Sequence, residues 1–301
     1  MKFSVFTAST PQWTPEEAVQ HLADQGWDGI EWRITDQADA AEPGFWAGNK
    51  ATVPLTGMEE QLERIAALTS GAGLEFSGIG GYARCDNHAD VDRMLAATAT
   101  LGAEKVRVTT PALGTAAWGG EPASGTPYPE LFDGARRDFE WIAQRAAHHG
   151  VKALVELHHR TITASASSAL RLLDGLDPRH VGVIHDLGNL LIEGQEDYLP
   201  AFELLGDYLA HVHVKNAVWV NTGETDESGA AVYRNEWAPL RSGQGSVLQY
   251  FKALAAHGYD GWVTVEDFST ERPLAERTAD NLDYLRSVAE LAGLSVPAGR
   301  R

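Results

Sequence analysis

Short apolar runs typical of buried strands alternate with helical patterns along this chain, and that alternation limits its fold more than any other feature. The runs lie near Phe3–Thr7, Gly29–Ile34, Leu74–Ile79, Lys105–Thr109, Ala153–Leu157, Val181–Ile184, Ala210–Val214 and Trp262–Val265. Strands separated by helices pair in parallel, with the helices packed outside the sheet. Eight such units in 301 residues predict an α/β fold, a (β/α)8 TIM barrel that occupies residues 1–301 as a single domain.

A doubly wound open sheet is the competing fold. It would usually place a glycine-rich phosphate turn after the first strand, and the residues there are Thr-Ala-Ser-Thr-Pro at 7–11. No low-complexity linker divides the chain, so we favour the barrel. Two long connections, near 110–129 and 216–245, follow the fourth and seventh strands and are predicted to be loops at the barrel mouth.

Two predicted helices share their start and stop signals. Thr14–Glu17 and Ser246–Gln249 both follow the capping-box pattern, in which a hydroxyl and a longer side chain three residues on satisfy free backbone donors. Both helices end in nearly the same tetrapeptide, Gly-Trp-Asp-Gly at 26–29 and Gly-Tyr-Asp-Gly at 258–261. This weak internal repeat marks the helix-to-strand turn of a repeated βα unit.

Charge and cysteine content narrow the class of partner. The formal net charge of -18, from 24 Lys and Arg against 42 Asp and Glu, opposes binding to nucleic acid or to an anionic membrane. No run of about 18 apolar residues predicts a transmembrane helix. The apolar start is short and broken by hydroxyls, which favours a strand over a signal peptide, and the single cysteine, Cys85, suits a reducing compartment. We therefore expect a cytoplasmic protein with a small-molecule partner.

Four strand ends in the second half of the chain each deliver a metal-type ligand. The segments are Val155–His158, His185–Asn189, His211–Asn216 and Val265–Phe268. In a parallel barrel the C-terminal strand ends meet at the mouth, where barrel enzymes place their chemistry. Any one such carboxylate is more often solvated or ion-paired. Four at strand ends five to eight make a shared metal site the favoured interpretation.

Strand periodicity then selects the ligands. Alternate residues face inward, so Glu156 and His158 share a face, as do His211, His213 and Lys215. Since His213 lies nearer the mouth, we predict it as the ligand, and we expect His211 to support it or to pack. The predicted metal ligands are Glu156, Asp186, His213 and Glu266. Three carboxylates with one imidazole favour Mn²⁺, with Mg²⁺ or Co²⁺ as alternatives, over structural zinc.

These residues predict proton abstraction next to a metal-polarised carbonyl, through an enediolate. Glu156 and Glu266, on strands well apart around the ring, are the candidate bases on opposite faces of the substrate, which would give epimerisation or isomerisation. His158 is an additional candidate base, and the alternative is a mouth residue that only orients substrate. Three other histidines are predicted at the surface or at helix ends: His148, His149 and His159.

Several polar residues are candidates for substrate binding. Lys215 faces inward beyond His213, and either contacts substrate or pairs with a mouth carboxylate. Glu31 and Arg33, at the end of the second strand, bind hydroxyl groups or pair with other charges. Asn189 is a further candidate hydroxyl ligand.

Aromatic residues in the long connections suggest a roomy mouth. They are Trp118, Tyr128, Trp219, Tyr233 and Trp237. Aromatic faces suit sugar rings or an aromatic aglycone, and the alternative is that these residues anchor the loops. We select Trp118 and Trp237 as candidate substrate contacts. The stretch after Glu266 carries one Arg among acids, where a phosphate site would need more cationic groups, so we expect an unphosphorylated glycoside or oxidised glycoside.

The sequence resembles the xylose-isomerase-like barrels of the sugar phosphate isomerase/epimerase family. The resemblance covers nearly the whole chain, includes Gly29–Arg33, and is strongest from Leu154 onward. The segments that carry it are Glu156-x-His158, Asp186-x-Gly-Asn189, His211-x-His213-x-Lys215-Asn216 and Glu266-Asp-Phe268. It implies that Glu156, Asp186, His213 and Glu266 bind the metal, and that the two glutamates exchange protons with substrate carbon, as in the ketose 3-epimerase branch.

This chain departs from the ketose 3-epimerase branch at two points. Asn189 stands where a substrate-binding His is usual, and Asn-Ala-Val-Trp at 216–219 has no match for the Arg that follows the metal His. Besides an isomerase or epimerase, the resemblance leaves open a keto-glycoside lyase. That enzyme would be the large subunit of a C-glycoside deglycosidase, with His158 as the extra base and a small partner subunit.

Three further alternatives complete the set. A dehydratase and a non-catalytic sugar-binding barrel both remain open. DNA-repair endonucleases on this barrel use three zinc ions and many histidines, which the acidic charge and the single obvious histidine ligand argue against. Homo-oligomers are common among such barrels, and no interface signature is evident in the sequence.

Overall fold

Eight parallel strands close into a barrel, as the alternating pattern predicts. The computed structural model describes residues 1–113 and 125–296. The barrel strands are β1 Lys2–Phe6, β2 Gly29–Ile34, β3 Glu75–Gly81, β4 Lys105–Arg107, β5 Lys152–Glu156, β6 Val181–Asp186, β7 Leu209–Val214 and β10 Trp262–Val265. Each pairs with its neighbour in the chain, β7 pairs with β10, and β10 pairs with β1. The (β/α)8 prediction is confirmed, and the open-sheet alternative is wrong because β1 has a partner on both sides.

Helices surround this barrel. Those in the described residues are α1 Pro15–Gln25, α2 Leu62–Gly71, α3 His88–Leu101, α4 Tyr128–His149, α5 Ala166–Leu173, α6 Leu187–Glu193, α7 Tyr198–Leu205, α8 Val247–His257 and α9 Leu274–Leu291. Their apolar faces pack on the strands around one large buried cluster. No helix in the described parts of the chain is long and apolar enough to cross a membrane.

The predicted capping signals act as expected. Thr14 Oγ1 accepts a hydrogen bond from the Glu17 amide at 3.3 Å, while Glu17 Oε2 accepts from the Thr14 amide at 2.8 Å. Ser246 Oγ caps α8 with the first of these two bonds, which it accepts from the Gln249 amide at 3.3 Å. Gly26 and Gly258 then end α1 and α8 with φ of 85° and 80°, a left-handed conformation that glycine adopts without strain. The repeated tetrapeptide is therefore a repeated helix stop.

Strand register brings the ends of β5, β6, β7 and β10 to one level. Asp186 lies opposite His213 across the β6–β7 pair, and Glu156 lies opposite Ile184 across the β5–β6 pair. The Glu266 amide donates to the Val214 carbonyl at 3.0 Å, which continues the β7–β10 pairing past the last strand residue. Because these residues end their strands at the same edge, their side chains meet at the mouth.

The connection at 216–245 is a regular hairpin where the sequence predicted a loop. Strands β8 Asn216–Thr225 and β9 Ala231–Ala238 pair in antiparallel fashion beside the barrel mouth. The loop expectation is wrong because alternating β-branched residues such as Val218 and Val220 form a strand despite the polar residues between them. The first connection, 110–129, lies largely outside the described residues, and its last two residues begin α4.

Candidate metal centre and active-site cavity

The four predicted metal ligands converge at the mouth. One side-chain ligand atom from each of Glu156, Asp186, His213 and Glu266 lies within 4.8 Å of the others, and all four side chains are buried. His213 Nδ1 is 3.6 Å from Glu156 Oε1 and 3.8 Å from both Asp186 Oδ2 and Glu266 Oε1. We call these four residues the metal cluster. Their convergence follows from four neighbouring strands that end at one level.

The donor set of the metal cluster fits a divalent cation. His213 Nδ1 is buried and makes no hydrogen bond with any described residue. An unpaired buried nitrogen is costly, and here it faces three carboxylates, the mixed oxygen and nitrogen set that Mn²⁺ and Mg²⁺ accept. The three carboxylates lie close together with buried side chains, an arrangement that needs compensating positive charge.

Glu31 lies beneath the metal cluster and orients His213. Glu31 Oε2 is 3.0 Å from His213 Nε2 and 2.8 Å from His211 Nε2, and all three side chains are buried. A carboxylate on Nε2 holds the proton there and leaves the Nδ1 lone pair for a ligand. Burial raises the pKa of Glu31, but the charges and hydrogen bonds of His213 and His211 outweigh burial and hold this pKa below its usual range. This arrangement favours the charge-pairing alternative for Glu31 over a hydroxyl contact.

Two cations balance part of the negative charge. Lys215 Nζ lies 2.8 Å from Asp186 Oδ2 and makes a closer ion pair with Glu266. Arg107, which was not among the residues predicted from the sequence, places Nη1 2.6 Å from Glu156 Oε2. Burial raises the pKa of Glu156, yet Arg107 holds it well below its usual range, whereas burial raises the pKa of Asp186 to about 7 despite Lys215. The available signal for Arg107 was its alternation with Val106 and Val108, which places it on the inward face of the strand.

His158 and His159 both line the cavity above the metal cluster. Burial lowers the pKa of His158 to about 3 and that of His159 to about 4, so both imidazoles are neutral near pH 7. The surface prediction for His159 is wrong, because its side chain is only 8 % exposed. After β5 ends at Glu156 the chain turns sharply, and strand periodicity no longer assigns directions. The other two histidines predicted at the surface or at helix ends, His148 and His149, lie in the last turn of α4 as expected.

Asn189 lies behind the cavity wall rather than on it. Its Nδ2 donates to Glu156 Oε1 at 3.2 Å, and its Oδ1 lies 2.9 Å from His159 Nδ1. The amide therefore holds both a predicted metal ligand and a cavity histidine. A direct substrate contact, which the sequence suggested, is not the role that this geometry favours.

The cavity has a polar floor and aromatic walls. Its volume is about 210 Å³, and its floor includes Glu156, Glu266, Lys215 and Arg107. The aromatic walls come from Trp46, Tyr82, Trp237 and Phe268. This combination of an apolar wall and a few convergent polar groups is typical of a small-molecule site.

The other predicted contacts lie elsewhere. Arg33 is buried behind the aromatic wall, where its Nη1 donates to the Phe45 carbonyl at 3.0 Å and to Thr52 Oγ1 at 3.1 Å. Trp219 and Tyr233 are 40 % and 56 % exposed on the hairpin, so Trp237 is the hairpin aromatic that reaches the cavity. Trp118 lies outside the described residues. The geometry favours a structural role for Arg33 over hydroxyl binding.

A glycine allows the ring of Phe6 to pack beneath the metal cluster. A Cβ on Gly80 would lie 2.0 Å from the Phe6 ring, so only glycine leaves room for it. The ring stacks on His213 with 5.8 Å between centroids and also lies beside Arg107. Strand β1 thus supports the imidazole from below.

The chain is similar to known proteins in sequence. The family model of the xylose isomerase-like TIM barrel matches residues 19–288. An inosose dehydratase from Bacillus velezensis is 26% identical over 129 residues, which cover 42% of this chain and 43% of that relative. The curated relatives are thus matched over only about half of their length.

Solved structures share the fold over nearly the full chain. The 3-keto-D-glucoside 4-epimerase from E. coli has a TM-score of 0.68 at 19% identity, covering 95% of this chain and 99% of that one. A xylose isomerase-like TIM barrel protein from Mycobacterium smegmatis, in complex with magnesium, has a TM-score of 0.67 at 19% identity, covering 97% of each chain. At this level of identity the likeness shows the fold alone.

Proposed function

This chain belongs to the xylose isomerase-like TIM barrel family, and from that premise we propose that it is a divalent-metal-dependent isomerase or epimerase of a polyhydroxy ketone. One observation carries the proposal: three carboxylates converge on the unpaired Nδ1 of His213 at the floor of a cavity. The metal cluster, Glu156, Asp186, His213 and Glu266, would hold the ion. We expect Mn²⁺, with Mg²⁺ or Co²⁺ as alternatives, and the magnesium-bound barrel of similar fold supports a divalent cation.

When bound, the cation would polarise a substrate carbonyl and make the adjacent C–H acidic. Glu156 ends β5 and Glu266 directly follows β10, and β6 and β7 separate these strands, so the two carboxylates approach the cavity from two sides. One carboxylate takes the proton from one face of the carbon, and the other returns a proton to the opposite face. No atom is lost, and the product is the epimer. Lys215, on the cavity floor, can balance negative charge on the substrate oxygen.

Arg107 gives the two glutamates different properties. Its contact with Oε2 keeps Glu156 ionised and able to accept a proton, but it weakens Glu156 as a base. Glu266 instead pairs with Lys215, a flexible ammonium.

The experiment combines metal analysis with isotope exchange. We would measure metal per chain by elemental analysis for the wild type, for Asp186→Ala/His213→Ala, and for the surface control Asp92→Asn. We expect one divalent ion per chain in the wild type and in the control, and none in the double variant. Deuterium from D₂O should enter D-fructose, 3-keto-D-glucose or an inosose only with loaded protein. Metal retained in the double variant, or sugar binding without any exchange, would contradict the proposal and favour a binding barrel.

Dehydration is a second candidate, favoured by one observation of the cavity. His158 provides a neutral imidazole beside Glu156, and the curated relative is an inosose dehydratase. Here a base removes the proton next to the carbonyl and hydroxide leaves the adjoining carbon, so one water is lost. An enone chromophore formed from an inosose would indicate the dehydratase. Free aglycone from a 3-keto C-glycoside, with or without a small partner subunit, would instead indicate the lyase.

A further inference from the structure

One face of the β8–β9 hairpin carries three aromatic side chains in a row. Paired residues of an antiparallel ladder lie on the same face, and so does every second pair along it. Three successive pairs on this face are Ala217 with Trp237, Trp219 with Asn235, and Asn221 with Tyr233. The three rings are therefore diagonal neighbours, which lie about 7–8 Å apart in such a ladder. We call this surface the aromatic face.

The aromatic face is continuous with the active-site cavity. Trp237 lines the cavity, where its ring centroid lies 5.6 Å from that of Phe268. Exposure then rises along the hairpin, since Trp237 is half-buried, whereas Trp219 and Tyr233 are 40 % and 56 % exposed. Four residues separate the first aromatic pair from the last, a distance of about 13 Å at the rise of an antiparallel strand. The face thus extends the aromatic wall of the cavity outward.

Trp219 is held in one orientation although its ring is exposed. Its indole Nε1 donates to the Leu191 carbonyl at 2.9 Å, and its backbone amide donates to Gln244 Oε1 at 3.0 Å. A ring fixed by its polar edge loses little further freedom when a ligand packs on it. This tryptophan is therefore a preformed platform at the exit of the cavity.

The two faces of the hairpin differ in charge. The aromatic face places an asparagine opposite each exposed ring, Asn235 and Asn221. The other face holds Arg234 and Glu236, which form an ion pair of 2.6 Å. Aromatic rings pack on the C–H faces of sugars, and amide groups both donate to and accept from hydroxyl groups. In a chain of net charge -18, this uncharged face favours a neutral saccharide.

Two other occupants fit the aromatic face less well. An aromatic aglycone would stack on the rings but would leave Asn235 and Asn221 without hydroxyl partners. A second copy of this chain would need about 800 Å² of surface from each partner. Three aromatic side chains supply about 150–250 Å² each when they pass from full exposure to burial, and these three are already partly buried.

We propose that the aromatic face binds the distal sugar rings of a neutral oligosaccharide whose terminal ketose enters the cavity. The inference rests on the proposed function and names its substrate class. The ring next to the ketose stacks on Trp219, and its hydroxyl groups bond the Asn235 amide. Tyr233 and Asn221 provide the same pair of contacts for one further ring.

Calorimetric titration of magnesium-loaded protein with D-fructose and with lactulose, a galactosyl-fructose, measures the contribution of the added ring. We expect lactulose to bind about 10-fold more tightly than D-fructose. Trp219→Ala and Asn235→Ala should each narrow this difference by about 3- to 10-fold, and Trp219→Phe should restore most of it. Arg234→Ala, on the opposite face, is the matched control. Equal affinities of wild type for the two sugars, or an unchanged difference in Asn235→Ala and Trp219→Ala, would overturn the proposal.

The indole N–H signals of ¹⁵N-labelled protein locate the distal ring. Trp219→Phe assigns the Trp219 signal, which lactulose should shift and D-fructose should leave in place. An unmoved signal at saturating lactulose would overturn the proposal. So would tighter binding of benzyl β-D-fructopyranoside than of lactulose, which would indicate an aromatic aglycone.

Sedimentation and isotope exchange separate the remaining outcomes. A lower assembly mass for Trp219→Ala than for wild type would identify the aromatic face as an interface between copies and overturn the proposal. Absent deuterium exchange with the expected affinities would count against the proposed function alone. Exchange into D-fructose with equal affinities for both sugars would count against this inference alone.

Discussion

The interior of the barrel holds two polar groups of opposite character. The lower one, nearer the N-terminal strand ends, is Ser4, Thr264, His211 and Glu31, joined in one chain of hydrogen bonds of 2.7, 2.9 and 2.8 Å. We call it the lower cluster. In the metal cluster above it, three carboxylates instead converge on an unpaired imidazole nitrogen. The lower cluster is largely satisfied by its own members, whereas the four residues of the metal cluster could hold an added cation.

His213 joins the two clusters. Its Nε2 belongs to the hydrogen bonds of Glu31, and its Nδ1 faces the metal cluster. The comparison teaches that buried carboxylates alone do not identify a metal site. Glu31 is as deeply buried as Glu266, yet histidines surround it and satisfy its oxygens. Both clusters contain an unpaired imidazole nitrogen, His211 Nδ1 and His213 Nδ1, and the upper group differs because its nitrogen faces three carboxylates.

The largest expected effect comes from the glutamates of the metal cluster. Glu156→Gln and Glu266→Gln each remove a charged ligand and a candidate base, so we expect turnover to fall by about 10⁴-fold or more. Initial rates and metal content would be measured together. Full activity with metal still bound in either variant would contradict the catalytic role of that glutamate. The metal cluster would then no longer differ from the lower cluster in its importance for turnover.

The second prediction concerns the cavity above the metal cluster. His158→Ala should leave metal content unchanged and reduce the rate by about 10²–10⁴-fold if the imidazole is a general base. His149→Ala, at the end of α4, is the control. An unchanged rate would limit His158 to substrate orientation.

The third prediction tests the link between the clusters. Glu31→Gln weakens the hydrogen bond that orients His213, so metal affinity should fall by about 10–100-fold, measured by calorimetric titration with Mn²⁺. Thr264→Val, within the same lower cluster, removes a hydroxyl that bonds Ser4 and His211 rather than His213, so it should leave the affinity unchanged. Equal affinities in all three proteins would mean that the clusters are independent.

The outer face of the barrel wall provides a third buried polar environment, which can be compared with the two clusters inside the barrel. His185 packs there beside Phe202, its Nδ1 lies 2.8 Å from the Tyr250 hydroxyl, and burial lowers its pKa to about 3. Below about pH 6.5 the unfolded state binds a proton that the folded state does not, so the free energy of unfolding falls by about 1.4 kcal/mol per pH unit down to about pH 3.

Urea unfolding of the metal-free protein measures this effect. Between about pH 6.5 and 5, the wild type should lose about 2 kcal/mol more than His185→Gln, which cannot titrate. His148→Gln, on the surface, should follow the wild type. Identical losses in wild type and His185→Gln would show that His185 is protonated in the folded protein.

The smallest effect is expected in the lower cluster itself. Thr264→Val removes a hydroxyl that bonds Ser4 and His211, so the free energy of unfolding should fall by about 1–2 kcal/mol with turnover retained. Thermal unfolding and initial rates would be compared. A loss of turnover larger than the loss of folded protein would mean that the lower cluster takes part in the reaction.

Periodicity predicted the parts of the site that strands deliver. Glu156, Asp186 and His213 follow from alternation within apolar runs, and the choice of His213 over His211 follows from its place nearer the mouth. Arg107 follows the same rule, but with Lys105 two residues earlier the run also resembles a partly exposed strand. The barrel could be predicted because eight local patterns repeat the same signal.

Residues beyond the strand ends could not be assigned in this way. His159 lies in a turn that the Thr161 hydroxyl closes by donating to the His158 carbonyl at 2.7 Å, and no periodic rule gives its direction. Its contact with Asn189 joins residues 30 positions apart. The β8–β9 hairpin was missed because polar residues and glycines interrupt its apolar alternation. These features depend on tertiary contacts rather than local pattern.

The room that Gly80 leaves for Phe6 has a thermodynamic consequence. Phe6 ends β1, the strand whose pairing with β10 closes the barrel, and its ring supports His213. Glu266 directly follows β10. An ion bound by Glu266 and His213 would therefore be linked to closure of the β1–β10 seam, and opening of that seam would release it. Metal binding should slow amide hydrogen exchange in β1, a strand that supplies none of the proposed ligands.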